Sequence, residues 1–337
     1  MKKKVLIYII LILVIIAVTL VATYYFIFGK NNVVWKNEAL PAAPVFESVL
    51  DGTNVSSTEL INPQVIGVMV DNHPDARPQS GLAQAKIVYE APAEGGITRF
   101  LAIFDANQNI EKIGPVRSAR PYFVDLLEEY SGMYMHCGGS PDGLQKIIDD
   151  KVFDLNEMYR GSYFWRDENK IAPHNLYTNS ELWNKALEKN SSKLVSFSSG
   201  WQFGVLSTST ADPVQNIQIL YSPDYAVSWT YDQNLKLYTR YLNDVPHTID
   251  GTTLVADDVI VQYVKTRILD DYGRREMTTS GEGDLRLLRD GKMFKGVWKK
   301  INNRTRFYDA TGSELNLKSG HIWIQLVPND LQIKIST

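Results

Sequence analysis

Charged, amide and hydroxyl side chains fall together at four places in the first two hundred residues, each beside a glycine or proline turn. The first is Asp71-Asn72-His73 with Arg77-Pro78-Gln79-Ser80-Gly81. The second is Glu90 with Glu94-Gly95-Gly96 and Thr98-Arg99. The third is Gly114-Pro115-Val116-Arg117-Ser118-Ala119-Arg120-Pro121, and the fourth joins His136 and Gly138-Gly139-Ser140-Pro141 to Arg166 and Pro173-His174-Asn175. Taken singly, each reads as a turn or a helix cap whose side chains satisfy nearby amides. Four together point to one cleft, because loops leaving the same edge of a sheet converge.

Two chemistries follow from these residue types. Arg77, Arg99, Arg117 and Arg120 offer planar bidentate donors for carboxylate or phosphate, and helix-start amides near Arg117–Arg120 would add positive potential. With Asn72, His73, Ser118, His136, Ser140, His174 and Asn175 they form the candidate ligand-binding set. Alternatively, Glu94 or Glu90 would act as a general acid with Asp71 or Asp75 as partner base, the paired-carboxylate pattern of glycan cleavage. His73, His136 and His174 could hold a metal with Asp71, but their spacing matches no local metal motif, so neither metal nor cofactor is expected. Ser140 lacks the Gly-x-Ser-x-Gly context of an activated nucleophile. Cys137, the single cysteine, lies in an apolar stretch and reads as a buried inert thiol.

The elements that must position these groups are legible as short apolar runs. Val65–Val70, Ile87–Tyr89, Phe100–Phe104 and Met133–Cys137 read as buried strands bounded by turns. Ser118 as cap, Pro121, and the pattern Phe123, Leu126, Leu127, Tyr130 predict a helix ending at Gly132. A second helix is expected after Pro141, with Leu144, Ile147 and Ile148 on one face, and a third from Asn179 or Ser180 to about Lys189. Beyond a Ser/Thr-rich linker ending at Thr210, short aromatic and β-branched segments predict an antiparallel unit. The fold class is therefore an α+β or α/β domain over 63–195 and a mostly antiparallel β domain over 210–335.

Residues 1–30 stand apart. Met1-Lys2-Lys3-Lys4 precedes an uninterrupted apolar run from Val5 to Phe28, long enough to cross a bilayer as a helix. The lysines on one flank predict a cytoplasmic N-terminus and a chain that continues outside the membrane. The run exceeds an ordinary signal-peptide core and no Ala-x-Ala site closes it, so an uncleaved signal anchor is expected. Residues 31–62, with Pro41, Pro44 and Gly52, read as a tether.

Composition narrows the partners. The four lysines of residues 1–30 belong to 35 Lys and Arg in all, leaving 31 basic against 38 acidic side chains in the remainder, about −7. That balance argues against nucleic acid as a partner. With one cysteine, an intramolecular disulfide and a multi-cysteine zinc or iron–sulfur site are excluded. The segment Lys265–Arg306 nevertheless holds twelve basic residues against six acids. It fits either a surface for an anionic polymer or a solvated sheet face.

In combination, Asp71-Asn72-His73, Arg77–Gly81, Tyr89-Glu90-Ala91, Glu94–Arg99, Gly114–Tyr122, His136 with Gly138–Pro141, and Ala172–Tyr177 closely resemble the YerB-like bacterial envelope proteins. Asp257–Gln262, Gly296–Lys300 and Gly320–Pro328 are similar to that family's second module. The resemblance implies two adjoining modules displayed outside a Gram-positive-type membrane, with no reaction attached to them. Many relatives resemble lipoproteins, whereas this chain has an apolar span and no cysteine at its end. The expectation is a membrane-anchored extracytoplasmic protein that binds an anionic cell-envelope ligand, a peptidoglycan or teichoic-acid fragment, through its arginines. A wall-glycan hydrolase or lyase and a scaffold for an envelope complex are the alternatives.

Overall fold

The computed structural model describes residues 2–28, 45–190, 193–206 and 211–337. The first segment is one helix, α1 (Lys2–Phe28). Its stretch Lys3–Ile27 contains an 18-residue window of mean hydropathy 3.4 and is long and apolar enough to cross a membrane.

The second unit runs from Val45 to Thr337. Its first half supplies β1 (Val65–Val70), β2 (Ile87–Pro92), β3 (Thr98–Asp105), α2 (Pro121–Glu128), β4 (Met133–His136), α3 (Pro141–Asp149), β5 (Asp154–Asn156) and α4 (Ser180–Lys189). Its second half supplies β6 (Asn216–Ser222), β7 (Tyr225–Asp232), β8 (Leu237–Leu242), β9 (Asp258–Val264), β10 (Glu282–Arg289), β11 (Lys292–Ile301), β12 (Arg304–Asp309), β13 (Ile322–Pro328) and β14 (Ile333–Ser336).

Both halves build a single eleven-stranded sheet in the order Asp212–Pro213, β11, β10, β9, β13, β2, β3, β1, β4, β5, with β12 also on β11. The join is β13, parallel to β9 on one side and to β2 on the other, with Gln325 opposite Glu90. β3 runs antiparallel to both β1 and β2, and β4 is parallel to β1 and β5. The six-stranded antiparallel second sheet is built on β8, β7, β6 and β14.

Alternation along the central strands explains their unbroken apolar runs. Ile66, Val68, Phe100, Phe104, Val259 and Trp323 face a core completed by Trp183 of α4 and by Ile217, Val227 and Trp229 of the second sheet. Val65, Met69, Leu101, Ile260 and Ile324 face the opposite core, with Phe123 and Leu127 of α2. A sheet covered on both faces needs apolar residues at every position, so a two-residue period disappears.

Three boundaries differ from the sequence expectation. α2 begins at Pro121 with Arg120 as its uncapped N-cap, so Ser118 lies outside the helix. Ile148 of α3 is exposed while Ile147 packs, whereas α4 is capped as expected, Asn179 Oδ1 accepting from the Leu182 N–H at 2.9 Å. Of the expected tether, residues 29–44 lie outside the described residues, but residues 45–62 are packed. Phe46–Glu47 pairs with Asn54–Val55, and buried Asp51 meets Lys86 Nζ at 2.7 Å. One inserted side chain, Leu50, leaves no periodicity for the sequence to show. In the expected second linker, buried Phe197 and Trp201 lie beside Arg304, whose guanidinium sits 3.9 Å from the Trp201 ring centre.

Candidate functional site

The C-terminal ends of β1, β2, β4 and β5 lie along one edge of the central sheet with the start of β3. Residues 113–119 run beside that edge, bridging Ser80 to Gly114, Val70 to Val116, Ala119 to Gly139 and Ile113 to Thr178. The path requires glycine at 114, where φ is +144° and a Cβ would stand 2.7 Å from the Leu176 carbonyl oxygen.

Asp71, immediately after β1, is the centre of the edge. Its buried carboxylate meets Arg117 Nε at 2.9 Å and His174 Nδ1 at 2.7 Å through Oδ2, while Oδ1 accepts from the His73 N–H at 3.0 Å. Burial pushes this carboxyl up, yet Arg117, the His73 amide, His174 and Arg99 outweigh it and hold Asp71 below its ordinary value. An ionised carboxylate only accepts, so His174 donates through Nδ1 and its Nε2 faces away from Asp71. The His73 ring stacks on His174 with centroids 4.5 Å apart. Among the described residues, the terminal nitrogens of Arg117 have no protein partner.

Glu94, in the β2–β3 turn, gathers two further arginines: Arg120 Nε at 2.6 Å and Arg99 Nη2 at 3.3 Å. Burial raises its carboxyl, but the Arg120 hydrogen bond and both positive charges hold it below the ordinary glutamate value. Arg99 also donates to the Ser118 carbonyl oxygen at 2.9 Å, fixing residues 113–119 to β3.

Glu90 does not reach this edge. It is fully buried and accepts from Thr98 Oγ1 at 2.7 Å, Arg240 Nη2 at 2.7 Å, Gln325 Nε2 at 2.9 Å and Trp323 Nε1 at 3.0 Å. Asn72 is equally committed, joining Thr98, Tyr225, Gln79 and Arg77. These bonds tie the two halves of the unit together. Arg240, Tyr225, Trp323, Gln325 and His247 were invisible as site partners in the sequence because each lies over a hundred residues from Glu90 or Asn72.

The fourth cluster is structural. Both ring nitrogens of His136 are engaged, Nδ1 with the Gly138 carbonyl at 2.7 Å and Nε2 with Asp154 at 3.1 Å. Ser140 caps α3 by accepting from the Gly143 N–H, and Asn175 braces its own loop through Arg166 and the Asp167 and Lys170 carbonyls. Cys137 is half-buried against Glu157, and burial first, then that carboxylate, push its thiol up to about 11, so it is no nucleophile at neutral pH.

The edge therefore brings together Asp71, His73, His174 and Arg117, with Arg99, Arg120 and Glu94 beside them. It excludes Glu90, Asn72, His136, Ser140 and Asn175 from ligand contact because their polar atoms are spent inside the fold. The paired-carboxylate reading fails on the same ground. A general acid must hold a proton and reach its substrate, but Glu94 is stabilised as an anion by two guanidinium groups and Glu90 is buried away from the edge. A cavity of about 720 Å³ lies elsewhere, walled by Asp150, Phe153, Asn156, Tyr159 and Arg160 with none of the candidate residues.

The basic excess of Lys265–Arg306 is largely cancelled by folding. Arg267 pairs with Glu276, Arg274 with Asp270, Arg289 with Asp258, Lys295 with Asp212, Lys299 with Glu282 and Arg306 with Glu314. Lys300 and Arg304 share Glu129. Much of the local surplus thus meets acids outside the segment.

Fold and edge define a two-module protein in which a mixed α/β half and a mostly antiparallel β half share one sheet. The chain belongs to the family described as "Protein of unknown function (DUF3048)", its N-terminal domain model matching residues 50–193 and its C-terminal domain model 217–324. It is 35% identical over 271 residues to "Putative lipoprotein YerB" of Bacillus subtilis (strain 168), covering 78% of this chain and 81% of that protein. The crystal structure of the YerB protein from Bacillus subtilis superposes with a TM-score of 0.77 at 32% identity, over 86% of this chain and 99% of that one. A lipoprotein relative and the apolar α1 together indicate an association with the membrane.

Proposed function

We propose that α1 is an uncleaved anchor, that Val45–Thr337 is displayed outside the membrane, and that the Asp71 edge binds an anionic group of a cell-envelope polymer. The observation that carries the ligand reading is Arg117: Asp71 engages only its Nε, and its terminal nitrogens point donors at no protein group among the described residues. Arg99 and Arg120, the other two arginines at this edge, share Glu94, so Arg117 supplies the donors left to meet phosphate or carboxylate. The lysines at the start of α1, Lys2 to Lys4, support a cytoplasmic N-terminus.

The test is co-sedimentation of the full chain, in detergent micelles, with purified peptidoglycan carrying teichoic acid. Arg117→Ala should lose retention while Lys295→Ala, in the second half, keeps it. Equal retention of Arg117→Ala and the native chain would refute the assignment.

A further inference from the structure

Sequence spacing gave no reason to place a metal, yet folding carries His174 across a hundred residues to His73 and Asp75. One ligating atom from each of these three lies within 4.8 Å of the other two. His73 Nδ1 accepts from the Asp75 N–H at 3.2 Å and lies 3.6 Å from Asp75 Oδ2. The His73 ring stacks on His174, so His73 must turn out of the stack to aim a lone pair at an ion shared with His174. Two imidazoles and one carboxylate form a donor set that suits zinc and its neighbours and leaves positions open for water or ligand.

A second, independent feature distinguishes this group from a chance surface cluster. Asp71 takes the Nδ1 proton of His174 at 2.7 Å, which fixes the tautomer and leaves the Nε2 lone pair for a cation. A carboxylate behind a histidine is the outer-shell arrangement that orients metal-binding imidazoles and raises their basicity. Here it is built from a buried aspartate that Arg117 and a backbone N–H also hold in place. Two of the other three histidines have no such freedom: His136 spends both nitrogens, and His247 lies between Arg240 and Gln79.

We propose that His73, Asp75 and His174 bind one divalent transition-metal ion of the zinc class, with Asp71 positioning His174. Tetrahedral zinc at about 2.1 Å from its ligands places them about 3.4 Å apart, so the cluster must contract by roughly an ångström. The side chains that must move can do so, since Asp75 is 75% and His73 43% exposed, whereas the anchored His174 is 12% exposed. Charge permits it, because Asp71 and Asp75 outnumber Arg117. Calcium and magnesium are excluded by the imidazoles, which hard cations do not favour. The site is independent of polymer binding by Arg117, which would persist in chelator.

The test uses the full chain without a polyhistidine tag, in detergent micelles, stripped with chelator and titrated calorimetrically with zinc chloride. The expected result is one zinc per chain with a dissociation constant of about 10 µM or tighter, not displaced by calcium. His73→Ala and His174→Ala should weaken binding by about 100-fold, and Asp71→Asn by about 10–100-fold with the stoichiometry kept. Cobalt should give visible absorption bands that vanish in His73→Ala. Because His73 and Asp75 are exposed, His73→Ala and Asp75→Asn should unfold like the native chain in chelator, so they decide the matter if His174→Ala misfolds. No binding tighter than about 1 mM by the native chain, or isotherms unchanged in His73→Ala and Asp75→Asn, would overturn the proposal.

Discussion

Replacing Glu90 by Gln isolates what holds the two halves together. The substitution keeps volume but removes the carboxylate paired with Arg240, a guanidinium with no exposure, and turns an amide donor toward Trp323 Nε1 or Gln325 Nε2. Breaking one side of a buried ion pair costs about 3–5 kcal/mol, because the remaining charge stays desolvated. For the residues from Val45 to Thr337, unfolding as one unit, an entropy of about 2.1 cal/mol/K per residue gives about 0.6 kcal/mol/K. Glu90→Gln should therefore lower Tm by about 5–8 °C. Differential scanning calorimetry should show one transition, since the sheet is continuous across β13 and β2. The double variant Glu90→Gln/Arg240→Met should be less destabilised than the sum of its parts by at least about 1 kcal/mol. Additive effects, or a Tm within 1–2 °C of the native chain for Glu90→Gln, would show that this network is not what joins the halves.

Three further outcomes follow from other parts of the molecule. Burial first, then the charges of Arg240 and Arg77, lower His247 to about 2, so between that value and about 6.5 the unfolded chain binds a proton the native chain refuses. Stability should fall as pH drops below about 6.5, by up to about 1.4 kcal/mol per pH unit, and His247→Asn should lose that component in urea unfolding at pH 7, 6 and 5; parallel curves would contradict it. Cys137 should react with a disulfide reagent at neutral pH about 100-fold more slowly in the folded chain than in urea, and equal rates would mean the thiol is not shielded. Gly114→Ala should cost about 2 kcal/mol or more in chemical denaturation, because its Cβ meets the Leu176 carbonyl, and an unchanged midpoint would refute the close approach.

The strands of the first half were readable because burial on both faces writes itself as unbroken runs such as Val65–Val70. The edge was readable because Asp71, Glu94 and Arg117 sit in turns next to those runs. What the sequence could not show was which polar groups the fold consumes. Glu90 and Glu94 are four residues apart and equally acidic, but one points toward β13, contributed from residues 322–328, and the other toward Arg120. His73 and His136 differ in the same way: β5 supplies Asp154 to one, and the 174 loop supplies a stacked ring to the other. Such choices depend on pairings that range from 18 residues apart for His136 with Asp154 to 235 for Glu90 with Gln325, and a local pattern carries no record of them. Asp75 was legible in type, as part of His73-Pro74-Asp75, but its partner His174 was not.

The position of β13 sets an order on biosynthesis. This strand is the wedge of the central sheet, with β9 on one flank and β2 on the other, yet it comes later in the chain than both. While the polypeptide emerges, β2 and β9 each present an unpaired edge that nothing yet made can cover. The first half can collapse around α2 and α4 early, but it cannot be sutured to the second until β13 itself has been made. A chain cut just before Ile322 would lose that wedge and carry two sticky parallel-strand edges, a substrate for quality-control proteases and for aggregation.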